Sequence, residues 1–230
     1  MHTIAADDDW LSARRELLEK EKAFQKARDD LARQRRELPW RRLHTEYVFD
    51  SEDGPKTLTE LFGEASQLII YHFMFHPDWE AGCKSCSFWA DSYNGALPHL
   101  KARDVSLVAV SRAPLEKLLA YRERMGWRFP WVSSAGNTFN YDFGVSFTPE
   151  QIESGETSYN YRAGGVTIEE LPGISVFVRD NDKVFHTYSS YARGLDPYNA
   201  TYQLLDIVPK GRDEDALPYP MDWVRRNDEY

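Results

Sequence analysis

The chain holds two cysteines, Cys83 and Cys86, and they stand as Cys83-Lys84-Ser85-Cys86. Two cysteines scattered at random through a chain of this length fall three apart about 1% of the time, so the spacing carries meaning. One pair is no disulfide framework. In a reducing compartment C-x-x-C points to redox chemistry or to a metal. A thiolate, not a thiol, attacks a disulfide or a peroxide, and an ordinary cysteine with a pKa of about 8.5 is mostly protonated at neutral pH. A helix N-terminus favours the thiolate through its free N–H groups and about half a positive charge. Placed there, Cys83 attacks and Cys86, one turn in, resolves the mixed disulfide. Lys84 adds positive charge between them, and Trp79, Phe88 and Trp89 are candidates for an apolar collar around a partner's disulfide. Resolution also needs a proton acceptor. His72, His76, Asp78 and Glu80 are near in sequence. His76 and Asp78 fall in a loop, whereas His72 falls mid-strand and reads as a hydrogen-bonded core histidine.

Two alternatives use the same sulfurs. Two thiolates and a histidine suit Cu(I) or Zn, with His186 as the third ligand, although a strand histidine facing solvent is the simpler reading of His186. A thiol peroxidase is the other. The dithiol reading itself calls for no cofactor and no metal, and its partners are protein or small-molecule disulfides and thiols.

The elements that must position the pair are legible in outline. Asp9 to Glu37 is rich in Arg, Lys, Glu and Ala without Gly or Pro, and reads as a long helix capped by Asp7, Asp8 and Asp9. Trp10, Leu17, Phe24, Leu31 and Leu38 recur every seven residues as one narrow apolar stripe, which suits either packing on the chain's own domain or a homodimer. Pro39 ends it. Residues 1–40 are therefore read as a helical arm, 41–208 as the main domain and 209–230 as an irregular tail.

Within the main domain, Thr57-Leu58-Thr59-Glu60 reads as a capping box for a short helix through Phe62. Gln67 to Phe75 reads as a strand buried on both faces, and Val105 to Val110 as a second. A helical stripe from Phe88 to Leu100 is expected to break near Asn94-Gly95. Pro114 to Met125 is a helix, and Phe129 to Val132 a third strand. Thr157 to Arg162, Ile174 to Arg179 and Lys183 to Tyr188 read as strands, the last two joined as a hairpin through Asp180-Asn181-Asp182. Leu195 to Ile207 is a final helix. This is an α/β pattern with a mixed central sheet and helices on both faces, in which ligands sit at the carboxyl ends of the parallel strands. Cys83 follows the first long strand at that end.

Composition excludes several classes. A chain of 230 residues with 42% hydrophobic and 14% aromatic residues builds a large core, so disorder is excluded. A net charge of −9 disfavours nucleic-acid binding. The best apolar run, Leu68 to Phe75, is interrupted by His72 and is too short to span a membrane. Met1 to Asp9 lacks a basic region followed by an apolar one, so no secretory signal and a cytoplasmic location are expected. No Gly-x-x-x-x-Gly-Lys loop, G-x-S-x-G elbow or H-E-x-x-H helix is present.

A longer string of residues is more specific. Tyr71-His72-Phe73-Met74-Phe75, Asp78-Trp79-Glu80-Ala81-Gly82-Cys83, Cys86-Ser87-Phe88-Trp89-Ala90-Asp91, Val108-Ala109-Val110-Ser111-Arg112-Ala113-Pro114 and Trp223-Val224-Arg225-Arg226 together resemble the bacterial domain-of-unknown-function 899 family, which carries predicted dithiol–disulfide oxidoreductases. The resemblance spans nearly the whole chain. It implies a thioredoxin-like three-layer fold. Thioredoxins usually carry Trp before the first cysteine and Gly-Pro between the two; here Gly82 precedes, and Lys84-Ser85 lie between. They also set a cis-proline before a core strand, facing the cysteines, and Pro172 is the candidate, with Gly173 intervening. The peroxiredoxin pattern Pro-x-x-x-Thr-x-x-Cys is not met: four residues after Pro77 is Ala81, and seven after is Lys84.

Overall fold

The computed structural model describes residues 3–230. They divide into two units, the first ending at Pro39 and the second running from Trp40 to Tyr230. The first unit is the helix α1 (Asp7–Arg36). Asp7, Asp8 and Asp9 lie inside its first turn rather than at the N-cap, which is Ala6 without a side-chain hydrogen bond. They act on the positive helix end by charge alone, as Arg33, Arg35 and Arg36 act on the other. Ion pairs such as Lys22–Glu19 (2.8 Å) and Arg33–Glu37 (2.9 Å) support its surface, and no residue of α1 is buried.

In chain order the second unit holds β1 (Arg41–Arg42), β2 (Val48–Phe49), β3 (Lys56–Thr57), β4 (Gln67–His72), α2 (Lys84–Ala90), α3 (Tyr93–Lys101), β5 (Val105–Ser111) and α4 (Leu115–Arg124). There follow β6 (Trp131–Ser133), α5 (Phe139–Asp142), α6 (Pro149–Ser154), β7 (Ser158–Tyr159), β8 (Arg162–Ala163), β9 (Gly173–Asp180), β10 (Lys183–Tyr191) and α7 (Ala200–Leu205). Six strands form one sheet in the order β1-β10-β9-β4-β5-β6. β4, β5 and β6 are parallel; β9 runs antiparallel to β4, and β10 to β9. The segment β5-β4-β9-β10, a β-α-β unit followed by an antiparallel hairpin, is the thioredoxin-like arrangement. Asn181, at φ 52°, turns the hairpin.

β4 is central because both of its faces are apolar. Tyr71 and Phe73 face a core shared with Trp89, Leu118, Trp131 and Tyr202, while Leu68 and Ile70 face another with Phe49, Phe139 and Phe177. Each such fully buried side chain contributes about 1.5–3 kcal/mol of transfer free energy. The strand stops at His72, three residues before the expected Phe75, but the chain stays tied to β5: Phe73 N donates to Val110 O (3.0 Å) and Ala113 N to Phe75 O (2.9 Å).

Three other boundaries differ from expectation. α2 and α3 part at Asp91-Ser92, not at Asn94-Gly95, because the Asn94 side chain donates to Gly126 O (2.9 Å) and accepts from Arg128 N (2.8 Å) without leaving its helix. Thr157 to Arg162 is not one strand: Asn160 and Tyr161, at φ 52° and 62°, fold it into the β7–β8 hairpin. The expected helix from Leu195 to Ile207 is split by Pro197 and Asn199. A 3-10 stretch, Ala192–Tyr198, precedes α7, whose N-cap Asn199 accepts from Tyr202 N (3.0 Å). The capping box at Thr57 and Glu60 is present, though on a 3-10 turn. Residues 209–230 are mostly irregular and lie within the second unit, with Val224 buried.

Candidate active site

Cys83 is the N-cap of α2, and Cys86 lies inside the first turn. β4 delivers the chain to this point, and the loop 76–82 is pinned on the way. Lys117 Nζ donates to Pro77 O (2.8 Å) and Trp79 O (3.3 Å), and Cys83 N donates to Met74 O (3.1 Å). Cys83 is partly exposed and Cys86 is buried; both are free thiols. A partly exposed first sulfur with a buried second one a turn further in is the arrangement that the spacing predicts.

The electrostatics divide them further. The Cys83 thiol is lowered from its ordinary range to about 6, chiefly because the Cys86 thiol donates a hydrogen bond to its thiolate. Burial opposes this. The N–H groups of Cys86 and Ser85, unclaimed at the start of α2, and the Ser85 hydroxyl assist. The Cys86 thiol is pushed up by burial and by that same contact with the Cys83 thiolate. Met74 N, donating to Cys86 Sγ at 3.5 Å, works in the other direction.

The residues expected to assist take other positions. The Lys84 ammonium donates to Asp222 O (2.9 Å) and stands 5.8 Å from the Tyr219 ring, so it anchors the C-terminal segment. Thiolate stabilisation at Cys83 comes chiefly from hydrogen bonds. Trp89 is no part of a surface collar: it is buried, with Nε1 donating to Leu195 O (2.9 Å) and its ring against Phe88 and Tyr202. Trp79 is half-buried, its ring 6.2 Å from that of His76. Both His76 nitrogens are engaged: Nδ1 accepts from Asp78 N (3.2 Å), and Nε2 therefore donates to Glu169 (3.1 Å). Glu169 and Glu170 flank Arg112, whose Nε donates to Glu170 at 2.5 Å and whose Nη1 donates to Tyr141. Burial raises the Glu170 carboxyl against the pull of Arg112.

Pro172 precedes Gly173, which pairs with His72, so it stands at the carboxyl-end edge of β4. All peptide bonds of the described residues are trans, and Pro172 is not the expected cis-proline. His72 is buried, as a core histidine should be, with Nε2 against Ser175 Oγ (2.8 Å) and the ring stacked on Phe139 and Phe143. His186 packs against Phe143 and Phe177, on the sheet face opposite Cys86, and does not join the cysteines. Among the described residues no group of three or more His, Cys, Asp or Glu is placed to hold a metal.

Several contributors are not legible from spacing. Ser87 Oγ donates to Cys83 O (3.0 Å), which leaves Tyr121 OH to donate to Ser87 Oγ (3.0 Å). Arg226 Nε donates to Tyr121 OH (2.8 Å) and its Nη2 to Gly82 O (3.0 Å). The C-terminal segment thus reaches 144 positions back to hold the residue before Cys83. Gly82 itself is required by packing, since a Cβ there would lie 2.7 Å from the Phe73 ring and 3.0 Å from that of Tyr121. No tryptophan fits that position. Tyr71 OH, donating to Cys86 O (3.1 Å), holds the buried cysteine from below. The signal for Arg226 was only its place in the Trp223-Val224-Arg225-Arg226 string.

This topology, with a dithiol at the start of the helix after β4, defines a thioredoxin-like α/β protein. The chain belongs to the family described as bacterial protein of unknown function (DUF899), whose model matches residues 1–230. No curated protein matches it. Among solved structures, the peroxidoxin BcpB from Mycobacterium tuberculosis is 16% identical over 70% of this chain and 93% of its own, with a TM-score of 0.44. Peroxiredoxin Q from Xanthomonas campestris is 15% identical over 67% of this chain and 85% of its own, with a TM-score of 0.46. Such distant likenesses say nothing of chemistry. Among the described residues no helix is long and apolar enough to cross a membrane.

Proposed function

We propose that the protein is a thiol–disulfide oxidoreductase, with Cys83 attacking and Cys86 resolving. The observation that carries this reading is the opposed state of two adjacent thiols: a partly exposed one held near pKa 6 and a buried one held high. The Cys83 thiolate attacks one sulfur of a substrate disulfide, forming a mixed disulfide and releasing the first substrate thiolate. Cys83 then carries no charge, so of the causes that raise the Cys86 thiol burial remains and the contact with the Cys83 thiolate disappears. Cys86 gives its proton to the substrate thiolate just released, and Met74 N remains as a donor to the Cys86 thiolate. Attack on Cys83 Sγ closes the Cys83–Cys86 disulfide and releases the second substrate thiolate. Two cysteine thiols are oxidised and one substrate disulfide is reduced. The reverse sequence oxidises a dithiol substrate.

A metal-binding reading lacks its third ligand, because His186 lies on the other sheet face. A peroxidase reading finds no threonine in the slot that the peroxiredoxin pattern gives it, where Ala81 stands. The test is trapping with an aromatic disulfide. Cys86→Ser is expected to accumulate a stable mixed disulfide on Cys83, visible as a mass increment. Cys83→Ser is expected to accumulate none. Equal labelling of both variants contradicts the assignment.

A further inference from the structure

α1 carries Trp10, Leu17, Phe24 and Leu31 at seven-residue intervals, with Leu38 two residues beyond its end. All five are exposed. We propose that α1 is a dimerisation element, pairing in parallel and in register with α1 of a second copy of this chain as a two-stranded coiled coil.

The period argues for a helix as the partner. On a straight α-helix a strict seven-residue row drifts by about 20° per heptad, so by about 60° from Trp10 to Leu31. A flat surface meets only part of such a row. A partner helix that supercoils with it stays in contact along its length. The neighbouring row, three residues on, reads Ala13, Lys20, Ala27 and Gln34. Small residues there let two helices approach, and the two polar ones fix register and strand number at some cost in stability.

Charge identifies the partner and its direction. Taking the Trp10 row as the first seam position, the flank four residues on is Arg14, Glu21, Arg28 and Arg35. The opposite flank is Asp9, Glu16, Ala23, Asp30 and Glu37. One flank is mainly basic and the other acidic, so the surface complements a copy of itself. A parallel pair sets the acidic flank of one helix against the basic flank of the other, five residues further along. Asp9 then meets Arg14 and Asp30 meets Arg35. Glu16 meets Glu21 as the one like-charged contact, and Glu21 is already paired with Arg14 of its own helix at 2.8 Å. An antiparallel pair sets each flank against itself. Arg14 meets Arg35, Asp9 meets Glu37, Glu16 meets Asp30, and only Glu21 meets Arg28 with opposite sign. Like-charged contacts dominate that arrangement and disfavour it.

The test is sedimentation of the full chain. The unaltered protein is expected at twice its 26.7 kDa chain mass. The Leu17→Glu, Phe24→Glu variant is expected at the chain mass with its circular dichroism otherwise retained, since neither side chain is part of a core. Direction is read by Ala27→Cys in a Cys83→Ser, Cys86→Ser background, which in a parallel dimer oxidises to a covalent dimer. An unaltered chain that sediments at the chain mass overturns the proposal. So does a dimer that survives Leu17→Glu, Phe24→Glu. A dimer lost in that variant but never cross-linked through Ala27→Cys overturns the parallel direction.

Discussion

At Cys83 one hydrogen bond decides most of the chemistry. The Cys86 thiol is the largest cause of the low Cys83 pKa, so the two cysteines are coupled before any substrate arrives. The rate of alkylation of Cys83 by iodoacetamide, followed by mass against pH, is expected to rise through a midpoint near pH 6. In Cys86→Ala the donor is gone, and that midpoint is expected to move up; an unmoved midpoint would place the cause elsewhere. Gly82 is likewise fixed by its neighbours. Gly82→Ala forces a methyl against Phe73 and is expected to destabilise the fold by about 1–3 kcal/mol in urea unfolding, the usual cost of overpacking. A variant as stable as the parent would show that the Phe73 ring yields freely. Both cysteines, and the burial of the second beneath the first, were visible in the spacing. The reason for Gly82 was not, because the Phe73 ring just past β4 and the Tyr121 ring of α4 meet there only in the folded chain.

Among the elements, the start of α2 is held by a segment that the sequence alone sets aside. Arg226 reaches Gly82 O and Tyr121 OH, and Lys84 reaches Asp222 O. Arg226→Ala leaves a buried tyrosine hydroxyl and a carbonyl short of a charged donor. It is expected to cost about 1.5–3 kcal/mol of stability in urea unfolding, the range for hydrogen bonds to charged groups. No change would mean that the C-terminal segment merely lies alongside. At the N-terminus of α7, Asn199→Ala removes a buried cap and is expected to cost about 1 kcal/mol by the same measurement. The long strands β4, β5, β9 and β10 and the helix α1 were legible because their patterns are long and consistent. The break at Asn199, the β7–β8 hairpin and the docking of residues 209–230 were not. Each depends on a turn conformation or a distant partner, as where Asn160 and Tyr161 take positive φ within a pattern that otherwise alternates like a strand.

For the whole molecule, acid is the informative stress. His72 is held to about 3 by burial, with His186 adding to the effect, and His186 is itself held to about 4, chiefly by burial. Unfolded histidines titrate near 6.5, so below that pH the unfolded chain binds protons that the folded chain refuses. Stability from these groups is complete above about pH 6.5 and is lost as pH falls towards the folded values, by roughly 1.4 kcal/mol per pH unit for His72. Urea unfolding at a series of pH values is expected to show this slope, and His72→Gln to flatten it. An unchanged slope would assign acid sensitivity to other groups. The central claim, however, is that Cys83 and Cys86 form one two-electron couple. Its direct test is a redox titration of the purified protein in dithiothreitol or glutathione buffers, with free thiols trapped by alkylation and counted by mass. A single reversible transition, in which both thiols disappear together, is expected. Thiols that stay reduced across the whole range, or that change singly, would contradict it.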